Sequence, residues 1–426
     1  MPHHFKPLVI ILGKTVRYAA RLRGGGSALP GLFVEKISPN FIKQTLAQLP
    51  RGVVVISGTN GKTTTTKMVV ALLEAHGLKV FTNRTGSNFS RGVAAALLGD
   101  IDVRGNLDAD IAVLELDEAH AVKFVQTIPP RYSLLLNVMR DQLDRFGEID
   151  ATARMLQKIA EATTGTVVLN REDARVLAIQ DTLQDQTVEL FGLSDDLLAD
   201  FPSDDDMRSE EVKKVERPAA GVILKSYSGN EATYDVAGSE FSTTLKLNGV
   251  YNVFNSAAAI ALARAVLGTD MKSDSILSTI ATVTPAFGRG EELEVGGKPL
   301  ALVLVKNPSG FRLGLKSFSP VGYATMIAIN DNYADGRDMS WLWDVDFESL
   351  SNEGVAEVAG IRAYDMALRL QYDEVMIGHI ELDLTTALRQ FINNNSDKPK
   401  RIYCTYTAML ALRRELGKIT RVEAVS

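Results

Sequence analysis

The stretch GTNGKTTTT at 58–66 has the residue types and spacing of a loop that binds phosphate. Gly58 and Gly61 allow the backbone to turn back so that its N–H groups point at phosphate oxygens. Lys62 can reach the terminal phosphates as a point charge, and the hydroxyl of Thr63 can ligate Mg²⁺. A helix predicted directly after the loop adds the positive end of its dipole to the anion site. We therefore predict a nucleotide site at this loop.

The residues on both sides of the loop support this interpretation. The β-branched run VVVIS precedes it and the apolar-periodic stretch KMVVALLEAHG follows it, as in strand–loop–helix phosphate sites. The common pattern has a glycine where Ile56 stands, so the match is incomplete. A chance Gly-Lys-Thr in an ordinary loop is the alternative, and the flanking strand and helix favour the nucleotide site.

Carboxylates follow two of the predicted strands and could ligate a metal. Glu115 and Asp117 come where the run IAVLEL ends, and Asp141 and Asp144 follow the run YSLLLN. Each of them alone is typical of a surface charge or a helix cap. As a set at the carboxyl ends of strands, where α/β sheets bind ligands, they predict acidic ligands for Mg²⁺.

Length and composition narrow the class of protein. A chain of 426 residues predicts two or three domains. The net charge of −6 argues against a nucleic-acid-binding protein, which normally has a basic face. Cys404 is the only cysteine, which excludes an internal disulfide and a zinc site built from several cysteines. No run approaches the roughly 20 apolar residues of a transmembrane helix, so we predict no membrane span.

Strand and helix signals alternate along most of the chain. Short apolar runs such as VVVIS, IAVLEL and TVVLN are separated by helix-like spacers. This alternation is typical of a doubly wound α/β protein with a mostly parallel sheet. A second alternating block runs from ALVLV to RIYCTY and predicts a smaller Rossmann-like α/β domain. The predicted parts are an N-terminal helical segment at 1–45, a central domain at 46–290 and a C-terminal domain at 291–426.

Two further segments of the central domain have clear signals. Residues 194–218 are acidic and without apolar periodicity, which predicts a solvated loop or an insertion. The run NVFNSAAAIALARAVLG at 252–268 predicts a strong helix, with Gly268 at its C-terminal cap.

The first 26 residues predict a basic, amphipathic helix that ends at Gly24–Gly26. The apolar core is too short for a signal peptide, so we expect the segment to be retained and the compartment to be the cytoplasm. We favour packing of this helix against the next domain. Contact with an anionic membrane surface is the open alternative, because the segment contains several Lys and Arg residues.

Several motifs in order resemble the Mur ligase superfamily over residues 50 to about 310. They are GTNGKT, a Glu after an apolar strand, N-x-x-x-D-x-L-D-R-x-G, GVYNVFNSAAAI, and GRGE followed by KNPSG. Tyr251 replaces the histidine usual before Asn252, and the lysine that other Mur ligases carbamylate has no match. The resemblance implies a Mur ligase-like fold with a P-loop ATPase central domain, in which ATP phosphorylates a carboxylate and an amine attacks the acyl phosphate.

The resemblance also implies roles for residues at matching positions. Lys62 and Glu115 would be catalytic, and Thr63 and Glu115 would ligate Mg²⁺. Asn252 would contact adenine, and Arg289 would steady the nucleotide from the domain hinge. The nucleotide-binding set would be Gly58, Thr59, Asn60, Gly61, Lys62, Thr63, Thr64, Asn252 and Arg289.

The stretch DNYADGRDMSWLWDVD at 331–346 resembles the MurT family, as do RLRGGGSALPG and RDQLDRFGEID. MurT proteins are the synthetase subunits of lipid II isoglutaminyl synthases. The resemblance implies amidation of the D-glutamate α-carboxylate of lipid II, with ammonia from a GatD-type glutaminase partner. Asp338 would complete the partner's Cys–His pair. Many members carry a four-cysteine zinc ribbon, which this chain lacks, so we predict no zinc site.

The residues themselves also favour a partner. A self-contained glutaminase needs a cysteine nucleophile with a histidine base, whereas Cys404 has the sequence context of a buried core thiol. Trp341, Trp343, Val345 and Phe347 alternate with acidic residues, which predicts equally a half-buried strand or an aromatic patch facing a partner. Two alternatives stay open at this point: a stand-alone amino-acid ligase of the Mur or folylpolyglutamate type, and a nucleotide-gated regulator of a glutaminase.

Overall fold

The computed structural model describes residues 7–22, 28–83, 90–140, 149–201, 217–247, 249–284 and 289–422. The described residues form two β-sheets. The strands of the first sheet lie between Val53 and Thr244, and those of the second lie between Arg289 and Cys404. The predicted α/β architecture with a mostly parallel central sheet is confirmed. The domain boundaries near residues 45 and 290 stay a proposal.

The first sheet has nine strands in the order β2-β3-β1-β4-β5-β6-β7-β8-β9. Neighbours from β2 to β7 are parallel, and β8 and β9 add antiparallel strands at one edge. The central strands are buried on both faces, which explains their continuous apolar runs. The strands are β1 (Val53–Ser57), β2 (Val80–Thr82), β3 (Ile111–Glu115), β4 (Tyr132–Leu135), β5 (Thr166–Asn170), β6 (Thr187–Leu193), β7 (Val222–Ser228), β8 (Glu231–Val236) and β9 (Ser239–Thr244).

Helices cover both faces of this sheet and form two hydrophobic cores with it. The helices are α1 (Pro7–Leu22), α2 (Ala28–Ile37), α3 (Phe41–Leu46), α4 (Lys62–Ala75), α5 (Ser90–Asp100), α6 (Glu118–Thr127), α7 (Ile149–Glu161), α8 (Ala174–Leu177), α9 (Val250–Leu267) and α10 (Ser273–Thr282). Helix α9 ends at Gly268 with a positive φ, as predicted. Of the described helices, one that includes α9 has the length and apolar composition to cross a membrane, and it is mostly buried in the core.

The second sheet has six strands in the order β10-β11-β15-β12-β13-β14. Strand β10 is antiparallel to β11, and the other neighbours are parallel. The elements are β10 (Arg289–Val295), β11 (Lys298–Leu304), α11 (Pro308–Ser317), β12 (Ala324–Ala328), β13 (Val355–Ala359), α12 (Ala363–Tyr372), β14 (Ile377–Glu381), α13 (Leu384–Asn394), β15 (Lys400–Cys404) and α14 (Tyr406–Leu416). The chain therefore leaves β11, builds β12 to β14, and returns to place β15 between β11 and β12.

Two predictions about local structure need correction. The start of the acidic region is not only a solvated loop, because residues 195–200 form a 3₁₀ turn that buries Leu197, and Phe201 follows it into the core. Residues 202–216 lie outside the described part of the chain. The tryptophan stretch is not a strand either, since residues 340–344 form a 3₁₀ turn.

Candidate functional site

The loop between β1 and α4 is packed closely against Asn137 and Asn255. Gly58 and Gly61 have φ angles of 133° and 89°, a region that favours glycine. A Cβ at Gly61 would lie 2.6 Å from Oδ1 of Asn255, and a Cβ at Gly58 would lie 3.0 Å from the backbone nitrogen of Asn137. Glycine is therefore favoured at both positions for two reasons: the backbone has a positive φ, and a side chain would crowd neighbouring atoms.

Lys62 begins α4 and its ammonium group is buried in the loop. Its Nζ donates to the carbonyl oxygens of Gly58 at 2.5 Å and Thr59 at 3.4 Å. Nζ also forms an ion pair with Oε1 of Glu118 at 3.2 Å, and both side chains are buried. Glu118 was missed by the sequence analysis, although it lies three residues after Glu115. It offsets the cost of burying the lysine charge.

Thr63 and Glu115 meet at the carboxyl end of β3. The Thr63 hydroxyl donates to Oε1 of Glu115 at 2.7 Å. Asn83, at the end of β2, fixes the backbone of Glu115 through two hydrogen bonds. The structure thus brings together the hydroxyl and the carboxylate that were predicted to share Mg²⁺, and these hard oxygen donors suit that ion. Asp117 instead occupies the N-cap position of α6, and Asp141 and Asp144 lie outside the described residues.

Asn137 and Asn307 link the loop to the rest of the site, and neither was among the predicted site residues. Asn137 accepts from the backbone nitrogen of Asn60 at 2.8 Å and donates to its carbonyl oxygen at 3.0 Å. Asn307, at the N-cap of α11, donates to Oδ1 of Asn60 at 3.3 Å. Asn60 therefore joins the loop to both sheets. The motif KNPSG, which contains Asn307, was the sequence feature that could have identified Asn307 as a site residue.

Asn60 and Asn137 border a cleft between the two sheets. Helix α9 contributes Asn252 and Tyr251 from its first turn, and the loop after β11 contributes Lys306. Burial raises the pKa of Tyr251 above its usual value. Across the sheets, Arg140 pairs with Asp344 at 2.7 Å. The predicted residues that line the cleft are Thr59, Asn60, Gly61, Lys62, Thr64 and Asn252.

Arg289 begins β10, where its backbone pairs with Val303 of β11. Helix α10 ends at Thr282, and β10 is the next described element of the chain. The side chain of Arg289 lies outside the described residues, so its role at the domain hinge stays a prediction.

Asp338 lies in the loop that follows β12, which we call the Asp338 loop (residues 329–339). Its side chain is partly exposed, and Oδ1 accepts from the backbone nitrogen of Ser340 at 2.9 Å. Strand β15 alone separates β12 from β11, which borders the cleft. Since neighbouring strands lie roughly 5 Å apart, the carboxyl ends of β11 and β12 are about 10 Å apart. The Asp338 loop and the loop that contributes Lys306 to the cleft therefore leave the same edge of the second sheet.

Polar side chains hold the Asp338 loop against the first turn of α14 and the residues that precede α12. Both carboxylate oxygens of Asp335 accept from Thr407, Oδ1 from its backbone nitrogen at 2.7 Å. Burial raises the pKa of Asp335, and the hydrogen bonds from Thr407 oppose that shift. At the other side Asn330 accepts from the backbone nitrogen of Ile361 at 3.0 Å, and Asp331 pairs with Arg362 at 2.9 Å.

The two tryptophans have different environments. Trp341 is buried with Val345 and Phe347 in the core beneath α12. Trp343 is 48% exposed, and its ring lies 5.0 Å from that of Tyr372 in an edge-to-face contact. The alternation of apolar and acidic residues therefore reflects which side chains of an irregular segment are buried. Only Trp343 of the two tryptophans contributes to an exposed aromatic patch.

Helix α12 carries a row of exposed apolar side chains, which sequence analysis missed. Tyr364, Leu368 and Tyr372 are 65%, 50% and 71% exposed and are spaced four residues apart, so they share one face. Together with Ile361 and Trp343 we call them the outer face of α12. The sequence AYDMALRLQY contained a signal for this exposed face, because its apolar residues occur on all sides of the helix and not only along one buried stripe.

Cys404 ends β15 and is fully buried, as predicted. Burial raises the pKa of its thiol, so the thiolate that a nucleophile requires is disfavoured. The single cysteine is therefore a core residue, and it cannot act as the nucleophile of a glutaminase.

Comparisons with known proteins agree with this geometry. Residues 56–263 match the family described as Mur ligase middle domain, and residues 304–409 match MurT ligase C-terminal. The chain is 31% identical over 445 residues to the lipid II isoglutaminyl synthase (glutamine-hydrolyzing) subunit MurT of Streptococcus pneumoniae strain R6, covering 96% of each chain. Identity to the corresponding subunit of Staphylococcus aureus strain COL is 28%, over 86% of this chain and 88% of the relative.

Solved structures with the same fold are Mur-type ligases. MurF from Acinetobacter baumannii has a TM-score of 0.68 at 16% identity and covers 92% of this chain and 80% of that one. MurF from Thermotoga maritima in complex with ADP has a TM-score of 0.65 at 17% identity, over 89% and 84%. The identity to the pneumococcal subunit over nearly the whole of both chains decides the assignment. This chain belongs to the MurT family and is an ATP-dependent ligase of the Mur ligase fold.

Proposed function

We propose that this chain is the synthetase subunit of a lipid II isoglutaminyl synthase. It phosphorylates the α-carboxylate of D-glutamate in the stem peptide of lipid II, and ammonia from a GatD-type glutaminase then displaces the phosphate. The observation that carries the proposal is the 31% identity to the pneumococcal MurT subunit across 96% of both chains. The cytoplasm, where such precursors are exposed, is the proposed compartment.

The phosphate loop supplies the groups that the first step needs. The phosphates of ATP would bind to the backbone N–H groups of Gly58 to Gly61 and to the ammonium group of Lys62. For the ammonium group, the phosphates would compete with the backbone carbonyls and Glu118, which it contacts in this structure. Thr63 and Glu115 would hold Mg²⁺, which supplies positive charge at the phosphates. Positive charge close to the phosphoryl group lowers the barrier to its transfer. Lys62 would supply such a charge from the protein itself.

The substrate carboxylate needs this activation because its oxygen is a poor leaving group. Transfer of the γ-phosphoryl group to the carboxylate oxygen gives an acyl phosphate and ADP. Ammonia then attacks the acyl carbon, the C–O bond to phosphate breaks, and the amide and inorganic phosphate are released. Asn252 in the cleft would position the adenine, and Arg289 would act from the domain hinge.

Asp338 would act on the partner's chemistry. A glutaminase Cys–His pair needs an acid that orients the imidazole and stabilises its charged form. Asp338 is partly exposed, and its loop is anchored by the hydrogen bonds of Asp335 with Thr407. A carboxylate held in this way can enter a partner's active site without a large entropy cost.

The outer face of α12 would contact the same partner. Ile361 begins this face and donates its backbone N–H to Asn330 of the Asp338 loop, so a partner that reaches Asp338 also reaches α12. Residues 340–384 include ten acidic and two basic residues, which favours a partner surface with basic residues around an apolar centre. Trp and Tyr are enriched at such contacts.

The test is reconstitution with a GatD-type glutaminase, ATP, Mg²⁺, glutamine and lipid II. We expect phosphate release and a product whose mass shows replacement of OH by NH₂ on the stem peptide. Free ammonia should replace glutamine plus partner. Absence of phosphate release, or incorporation of a free amino acid without any glutaminase, contradicts the proposal.

A further inference from the structure

Helix α1 has an apolar face that the rest of the described chain leaves exposed. Ile11, Leu12 and Tyr18 are 50%, 49% and 68% exposed. At 100° per residue they share one side of the helix with Thr15. A helix that only packed against its own domain would direct such side chains inward.

The opposite side of α1 is packed firmly against the protein. Ile10 is fully buried, and a Cβ at Gly13 would lie 2.8 Å from a methyl group of Val34 and 2.9 Å from one of Leu98. Lys14 donates to the carbonyl oxygen of Ile101 at 2.6 Å. The exposed side chains are therefore presented by a helix whose orientation is set by α2 and α5.

The charge of this segment is opposite to that of the chain. Residues 1–23 include five basic residues and no acidic one, whereas the net charge of the whole chain is −6. Lys14 and Arg17, the basic members whose side chains the structure describes, lie on the packed side of the helix, where Lys14 donates to Ile101 and Arg17 lies against Gly99 of α5. An exposed apolar face on a segment with a net positive charge is the composition of helices that lie in the headgroup region of anionic bilayers.

We propose that α1 docks the protein on the surface of an anionic lipid bilayer through Ile11, Leu12 and Tyr18. The inference rests on the proposed function in one respect, since a lipid-linked substrate requires the ligase to work at a membrane. Docking through α1 holds the ligase at the bilayer, and the outer face of α12, on a helix of the second sheet, is a separate surface. Long-range attraction by the basic segment orients α1 toward the lipid before the apolar side chains insert.

Vesicle flotation of the complex with its glutaminase tests the docking. Phosphatidylcholine vesicles with and without phosphatidylglycerol are compared at low and high salt. We expect binding to the anionic vesicles that weakens with salt, and partitioning at least about tenfold weaker for the triple variant Ile11→Ser, Leu12→Ser, Tyr18→Ser. Val321→Ser, which removes a side chain 71% exposed in the other domain, is the matched control and should bind like the parent.

Two readouts separate docking from catalysis. Amidation of lipid II embedded in vesicles should fall in the triple variant, while amidation of a short-chain, water-soluble analogue should not.

If the triple variant does not fold, the single variant Tyr18→Ser should still show weaker vesicle binding and weaker amidation of the embedded lipid II. Vesicle binding that is absent, or unchanged by these variants, overturns the docking proposal. Loss of the glutaminase from the variant would also overturn it, because α1 would then cover a protein interface. Vesicle binding without any amidation by the parent would contradict the proposed function alone.

Discussion

The phosphate loop and the Asp338 loop both follow a parallel strand, but they are built in different ways. In the phosphate loop, the residues proposed to bind the phosphates are consecutive, and two glycines allow the turn. The Asp338 loop is instead anchored through Asp335, whose partner Thr407 lies 72 residues later. The comparison shows that the conformation of one loop can be encoded in a short stretch of sequence, whereas the placement of the other depends on contacts with residues distant in the chain.

The largest effect should come from the phosphate loop. Lys62→Met removes the charge aimed at the phosphates and leaves Glu118 buried without its cation. We expect amidation with either glutamine or free ammonia to fall by a factor of about 100 or more. Phosphate release and product mass measure the effect. Lys67→Met, on the exposed side of the same helix, is the control and should keep activity; equal losses in both variants would contradict the assigned role.

The next largest effect should separate the two nitrogen sources. Asp338→Asn retains the size of the side chain but cannot stabilise an imidazolium ion, so glutamine-driven amidation should fall by a factor of about 100 to 10,000. Ammonia-driven amidation should remain near the parent value. Asp346→Asn changes an exposed aspartate of the same stretch and should affect neither assay. A parallel fall with both nitrogen sources would show that Asp338 acts elsewhere.

A smaller effect is expected on the outer face of α12. Leu368→Ser with Tyr364→Ser should weaken binding of the glutaminase by a factor of about 10 to 100, because central apolar contacts carry much of the energy of an interface. Titration calorimetry measures the Kd, and ammonia-driven amidation should be unchanged. Val321→Ser is again the exposed apolar control. An unchanged Kd would place the partner on another surface.

The smallest effect should come from the anchor of the Asp338 loop. Asp335→Ala leaves the partly buried N–H of Thr407 without its acceptor, which costs about 1–3 kcal/mol in the free energy of unfolding. Glutamine-driven amidation should fall while ammonia-driven amidation is largely kept. Chemical denaturation measures the stability, and Asp346→Ala should change it by far less. A variant with parent stability would show that Thr407 finds another acceptor.

Burial of Asp335 also predicts a pH dependence. Because its pKa is raised in the folded state, the folded protein binds this proton more tightly than the unfolded chain does. The resulting stabilisation is present below the unfolded-state pKa and is lost as the pH rises through the folded-state pKa. The stability of the parent relative to Asp335→Asn should therefore decrease over that range. A difference that stays constant with pH would contradict the raised pKa.

Much of the fold could be predicted because burial on both faces leaves a direct record in the sequence. Runs such as VVVIS and TVVLN are continuous and apolar, and they coincide with β1 and β5. The segment from Ser194 was harder, because Leu197 and Phe201 enter the core from a 3₁₀ turn among acidic residues. A single-turn element leaves no periodicity for sequence analysis to detect.

The sequence by itself determined the phosphate loop, the alternation of strands and helices, and the resemblance to Mur ligases. Each of these is encoded in neighbouring residues, through glycine conformation or hydrophobic periodicity. Tertiary structure alone decided that Glu118 pairs with Lys62, that Asn307 reaches Asn60, and that α1 and α12 present apolar faces to solvent. These features depend on which strand ends and helix faces the fold brings together or leaves uncovered, and residues distant in sequence carry no local signal of that arrangement.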